Sequence, residues 1–84
     1  MTDERFMDLV ADRIRRIRRS RKLTQEEMQN FGFNYRYYQM IESGTANLTL
    51  KSVNRLAKAF QVPALEFFRF EATRRMRRER PGHF

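Results

Sequence analysis

The sequence predicts an all-α fold, five helices packed as one compact domain. Three observations carry this. No segment alternates apolar and polar residues over the length of a strand. Thr24, Asn34 and Thr49 each stand as a capping residue ahead of a helical stretch. The three glycines and two prolines fall where helices should stop or start, and none interrupts an apolar stripe. At 84 residues such a domain is near the size where one core is only modestly stabilising and dimerisation is a common supplement. The expected division is one domain over residues 1–80 with a C-terminal tail at 81–84.

The first helix should run from about Thr2 to Ser20. Phe6, Val10, Ile14 and Ile17 recur at helical spacing as its apolar stripe, and most of its bases lie on the other face. Thr24-Gln25-Glu26-Glu27 has the form of a capping box, in which the Thr24 hydroxyl accepts the Glu27 N–H and Glu27 reaches back to the Thr24 N–H. Leu23 and Met28 suit a hydrophobic staple. This second helix is short, because Gly32 can take the left-handed conformation that ends it. Asn34 caps a third helix that runs to about Ser43 and stops at Gly44. Thr49 caps a fourth, with Leu50, Val53, Leu56, Ala57 and Phe60 as its stripe. Pro63 opens a fifth that nothing interrupts until Pro81.

Composition excludes several chemistries. There is no cysteine, hence no disulfide scaffold, thiolate zinc site or cysteine nucleophile. The single histidine, His83, stands beside the C-terminus. No paired nucleophile and base, glycine-rich phosphate loop or metal-ligand cluster is present, so an enzyme is not expected and no cofactor is implied. The Met-Thr-Asp-Glu opening lacks the basic and apolar regions of a signal peptide, and no apolar run approaches the ~20 residues of a membrane span. A soluble, cytoplasmic protein is the expectation.

The formal charge is +8, and it is unevenly placed. Residues 13–22 carry seven bases and no acid, and residues 73–84 carry five arginines against Glu79. Residues 23–72 are balanced, with five bases and five acids. Two basic clusters around a neutral middle favour a polyanionic partner, either nucleic acid or an anionic membrane surface.

Two short helices joined by a tight glycine turn, at about residues 24–43, make a helix-turn-helix. Here the chain resembles the XRE-like (Cro/repressor-type) DNA-binding domains. The matching pieces are RIRRIRRSRKLTQEEM, YYQMIESG and NLTLKSVNRLAKAFQVPALEFF, in that order, over about residues 13–68. The Asn-Leu-Thr-Leu-Lys-Ser segment looks like the restriction–modification controller proteins. From Thr24 to Glu42 the chain is one residue shorter than the family's spacing, Met28 stands where the family favours alanine, and Pro63 replaces a capping Ser or Thr. A second helix shortened by one residue, with Met28 adapting, is the expected accommodation.

The resemblance implies double-stranded DNA as partner and the third helix as the recognition helix. On a helical wheel Tyr37, Tyr38 and Ile41 form a packing face, with the tyrosine hydroxyls at its wet edge. Arg36, Gln39, Met40 and Ser43 share roughly a 100° arc on the other side, with Tyr35 at its margin. These five are the base-reading candidates. Arg36 suits guanine O6 and N7, Gln39 adenine or a phosphate, and Met40 a thymine methyl. In the family a glutamine at the position of Gln25 holds a phosphate and braces the recognition helix, and an arginine at the position of Arg18 pairs with the glutamate that is here Glu42. Arg21, Lys22, Asn47 and Lys51 are further phosphate candidates.

In the fifth helix Leu65, Phe68, Ala72 and Met76 form one stripe, and Phe67 and Phe70 project from nearly the opposite side. Exposed together, those two rings suggest a homodimer seam. A symmetric dimer would read a palindromic operator in half-sites ~34 Å apart, with RNA polymerase or a regulatory protein as a further partner. Two other readings stand beside this one. One is a helix-turn-helix module of antitoxin type whose main partner is a protein, and the other is a membrane-surface binder using the basic first and fifth helices.

Overall fold

A computed structural model of the chain describes residues 1–70. These form three α-helices and two short 3-10 helices in the predicted order, with no strand among the described residues. The expected continuation to Pro81, with Ala72, Met76 and the tail at 81–84, lies outside them.

Helix α1, Asp3–Ser20, starts at Thr2, whose hydroxyl accepts the Arg5 N–H at 3.1 Å. Asp3 and Glu4 in its first turn and Arg18 and Arg19 in its last complement the helix dipole. Val10, Ile14 and Ile17 are buried as the stripe predicts, but Phe6 remains 43% exposed. It lies at the rim, stacked on Phe68 at 6.4 Å and edge-on to Phe70 at 5.7 Å.

The capping box forms in both directions, Thr24 N to Glu27 Oε1 at 2.7 Å and Glu27 N to Thr24 Oγ1 at 3.1 Å. It leads into a 3-10 helix, Glu26–Phe31, which Gly32 ends at φ 90°. The tighter winding suits the short spacing that the sequence led one to expect. A 3-10 helix rises ~2.0 Å per residue against 1.5 Å for an α-helix, so fewer residues cover the same distance. Met28 is fully buried in this turn.

Helix α2, Tyr35–Ser43, is capped by Asn34, whose Oδ1 accepts the Tyr37 N–H at 3.1 Å, and ends at Gly44 with φ 81°. Helix α3, Leu50–Phe60, is capped by Thr49 and ends at Gln61, a non-glycine in the left-handed region at φ 58°. Leu56, Ala57 and Phe60 are buried, but Leu50, in the first turn, is 88% exposed.

The fifth element departs most from expectation. After Pro63 only a 3-10 helix, Ala64–Phe68, forms, and Arg69 turns extended at φ −88°, ψ 92°. Counting at 100° per residue therefore places the rings wrongly. Phe67 and Phe70, expected as an exposed seam, are buried in the chain's own core at 1% and 8% exposure, Phe67 edge-on to Phe60 at 6.1 Å. Leu65 and Phe68 are the exposed pair. Arg13 holds this element to α1, its Nε donating to the Glu66 carbonyl at 2.8 Å and its Nη2 meeting Oε1 at 3.1 Å.

Candidate nucleic-acid interface

Helix α2 carries one face inward and one outward. On the inner face Tyr38 and Ile41 are buried, and Phe33 packs edge-on to Tyr38 at 5.6 Å. The same face carries a carboxylate, Glu42, only 4% exposed. A buried carboxylate is costly unless it is paired and hydrogen-bonded, and four donor groups surround this one. Arg18 contributes Nε at 2.6 Å and Nη2 at 3.1 Å, Gln25 contributes Nε2 at 3.1 Å, and the Tyr38 hydroxyl donates from one turn back on the same helix. Arg18 also donates to the Leu23 carbonyl at 2.6 Å, and Arg15 to the Glu42 carbonyl at 3.1 Å. No buried side-chain polar atom among the described residues lacks a partner.

This network ties both helices of the motif to α1, and its electrostatics follow. Burial pushes the Glu42 carboxyl up, but the hydrogen bonds from Arg18, Tyr38 and Gln25 outweigh it and hold its pKa below the ordinary value. Burial, reinforced by the adjacent Glu42 carboxylate, pushes the Tyr38 phenol well up. The hydrogen bond to Glu42 raises Arg18 against its desolvation. The charges stay fixed across the neutral range. The expected wet-edge position for the Tyr38 hydroxyl is corrected by this arrangement, since Glu42 draws it into the core. Tyr37 does keep its hydroxyl near the surface, between Ser52 Oγ at 3.1 Å and the Asn47 carbonyl at 3.3 Å.

The outer face gathers the base-reading candidates. Arg36, Gln39, Met40 and Ser43 are exposed and Tyr35 is half-buried at their margin. Three of them are partly engaged. Gln39 Nε2 donates to the Tyr35 hydroxyl at 3.0 Å, and the Ser43 hydroxyl donates to the Met40 carbonyl at 2.9 Å beside Thr45 Oγ1 at 2.8 Å. Arg36 makes no ion pair among the described residues, and neither does Lys22 or Lys51.

The phosphate candidates separate. Lys22, Asn47 and Lys51 are exposed, Lys51 in the first turn of α3. Gln25 uses one amide N–H on Glu42 and keeps the other. Arg21 is exposed as well, and its Nε donates to the Phe60 carbonyl at 2.7 Å, closing the end of α3. Sequence reasoning missed Arg55, which lies over the Phe33 ring at 5.6 Å and donates to the Gly32 carbonyl at 3.2 Å, holding the turn of the motif to α3. It also missed Tyr38 as a partner of Glu42, although their spacing of four residues was a legible signal.

No helix among the described residues is long and apolar enough to cross a membrane. Comparison with curated proteins gave no match, and neither did comparison with solved structures. The helix-turn-helix family model matches residues 14–67, from within α1 into the second 3-10 helix. That span contains the Arg18–Glu42 network, the glycine turn and the outward face of α2, and with it the chain belongs to the helix-turn-helix family, as a DNA-binding regulator of XRE type.

Proposed function

We propose that the chain is a sequence-specific regulator that binds double-stranded DNA as a homodimer on a palindromic operator, with α2 in the major groove. The observation that carries this reading is the two-sidedness of α2. Its inner face is pinned through Glu42 to Arg18 and Gln25, while Arg36, Gln39, Met40 and Ser43 stand exposed on the other. A rod held on one side and presenting a guanidinium, an amide and a thioether on the other suits base-edge readout. Lys22, Lys51 and the remaining Gln25 N–H supply phosphate contacts around it, which give affinity and register. The stacked Phe6 and Phe68, with Leu65 exposed nearby, offer apolar surface for the seam once Phe67 and Phe70 are assigned to the core.

Selection from random duplex DNA, followed by binding across salt concentrations, tests the reading. The expected result is one inverted-repeat motif and an affinity that falls steeply with salt. Equal retention of every duplex, or of none, would refute it.

A further inference from the structure

We infer that Tyr35 is a positioning residue that sets the Gln39 amide to select adenine. This rests on the proposed docking of α2 in the major groove. Tyr35 and Gln39 lie one turn apart at the N-terminal half of α2, and Gln39 Nε2 donates to the Tyr35 hydroxyl at 3.0 Å. An exposed glutamine otherwise has free torsions, and either end of its amide can meet the groove. The N–H trans to Oε1 is the one this arrangement commits to the phenol, which leaves Oε1 and the cis N–H side by side. That acceptor–donor pair complements the N6 amino group and N7 of adenine. Guanine offers two acceptors there, O6 and N7, and would set O6 against Oε1.

The phenol adds a reason for the direction of this bond. Its oxygen accepts from Gln39, so its own proton is free to be donated. Tyr35 is the first residue of α2, the end where backbone phosphate approaches. A phosphate oxygen only accepts, so a phosphate-bound Tyr35 must use its proton there and accept from Gln39. The chain phosphate, Tyr35, Gln39, adenine then has one consistent polarity. Tyr35 thereby acts on base choice through Gln39, where composition and spacing suggested direct contact.

The test uses the full chain and random duplex DNA, comparing wild type with Tyr35→Phe and Gln39→Ala. Tyr35→Phe keeps the half-buried ring and removes only the hydroxyl, and circular dichroism with thermal unfolding reports whether the fold persists. The expected wild-type motif has adenine at one position in each half-site. Gln39→Ala should abolish that preference, and Tyr35→Phe should reduce discrimination of adenine from guanine there by about tenfold while other positions keep theirs. An unchanged adenine preference in Tyr35→Phe would overturn the inference alone. So would a loss of affinity spread evenly over all positions, which would make Tyr35 a phosphate contact only. A wild-type protein with no preferred sequence would overturn the proposed function itself, and this inference with it.

Discussion

Arg18 and Glu42, 24 residues apart in the chain, meet through two hydrogen bonds, Nε to Oε2 at 2.6 Å and Nη2 to Oε1 at 3.1 Å, with both side chains buried. The pair joins α1 to the last turn of α2, and its guanidinium also closes the Leu23 carbonyl. Arg18→Met would leave the buried Glu42 carboxylate without its ion-pair partner. A loss of about 3–5 kcal/mol is expected in urea unfolding. Arg18→Lys should recover little, since an ammonium lacks the planar fork that meets both oxygens at once. Near-wild-type stability in Arg18→Met would mean that the hydrogen bonds from Tyr38 and Gln25 suffice.

The same network sets the pH dependence of stability. Glu42 has a lowered pKa in the fold, so its contribution is complete above the ordinary carboxylate value of about 4.3 and is lost as pH falls through the lower folded value. Tyr38 has a raised pKa, so its contribution is complete below the ordinary phenol value of about 10 and is lost as pH rises beyond it. Glu42→Gln should therefore flatten the acid limb of a stability–pH profile, and Tyr38→Phe the alkaline limb. An acid limb in Glu42→Gln that superimposes on wild type would assign acid unfolding to other carboxylates.

The signals that could be read from sequence were local ones. The Thr24–Glu27 box, the Asn34 and Thr49 caps and the stops at Gly32 and Gly44 each depend on residues within a turn or two, and each is in place. The outward face of α2 follows from a helix of regular pitch. Phe67 and Phe70 failed for the complementary reason: the segment after Pro63 is 3-10 and then extended, so a wheel drawn at α-helical pitch put them on the wrong side. The bond from Arg21 to the Phe60 carbonyl was not legible, because its partner lies 39 residues away and no pattern announces it.

Phe67 offers a direct check of that reassignment. Its ring is almost wholly buried against Phe60, so Phe67→Ala should cost about 3–5 kcal/mol in unfolding experiments at concentrations where only monomer is present. Phe68→Ala, which removes a ring 39% exposed, should cost clearly less. The reverse order would return Phe67 to a surface role.

Gly32 and Gly44 both hold left-handed backbone, at φ 90° and 81°, and their surroundings differ. A Cβ at Gly32 would meet the Arg55 side chain at an ordinary 3.7 Å, whereas one at Gly44 would come within 2.7 Å of Asp8 Oδ1. That oxygen ends an exposed side chain that can swing aside, so backbone strain should dominate in both. Gly32→Ala and Gly44→Ala are each expected to cost about 1–2 kcal/mol by thermal unfolding. A much larger loss at Gly44 would show that Asp8 is held in place.

Arg36 and Lys51 separate the two kinds of DNA contact the proposed function requires. Arg36 is exposed in the first turn of α2, and a guanidinium there can pair with both acceptors of a guanine. Arg36→Ala should relax base preference at one position per half-site, by about 1–3 kcal/mol, and leave the other positions as they were. Lys51, in the first turn of α3, is a point charge and in the proposed function a phosphate contact. Lys51→Ala should weaken all duplexes alike and reduce the slope of log affinity against log salt by about one per site. Quantitative binding to a panel of single-base variants, repeated at several salt concentrations, distinguishes the two. If Arg36→Ala instead produced the uniform, salt-dependent loss expected of Lys51, its guanidinium would be a phosphate clamp, and base choice would fall to Gln39 and Met40.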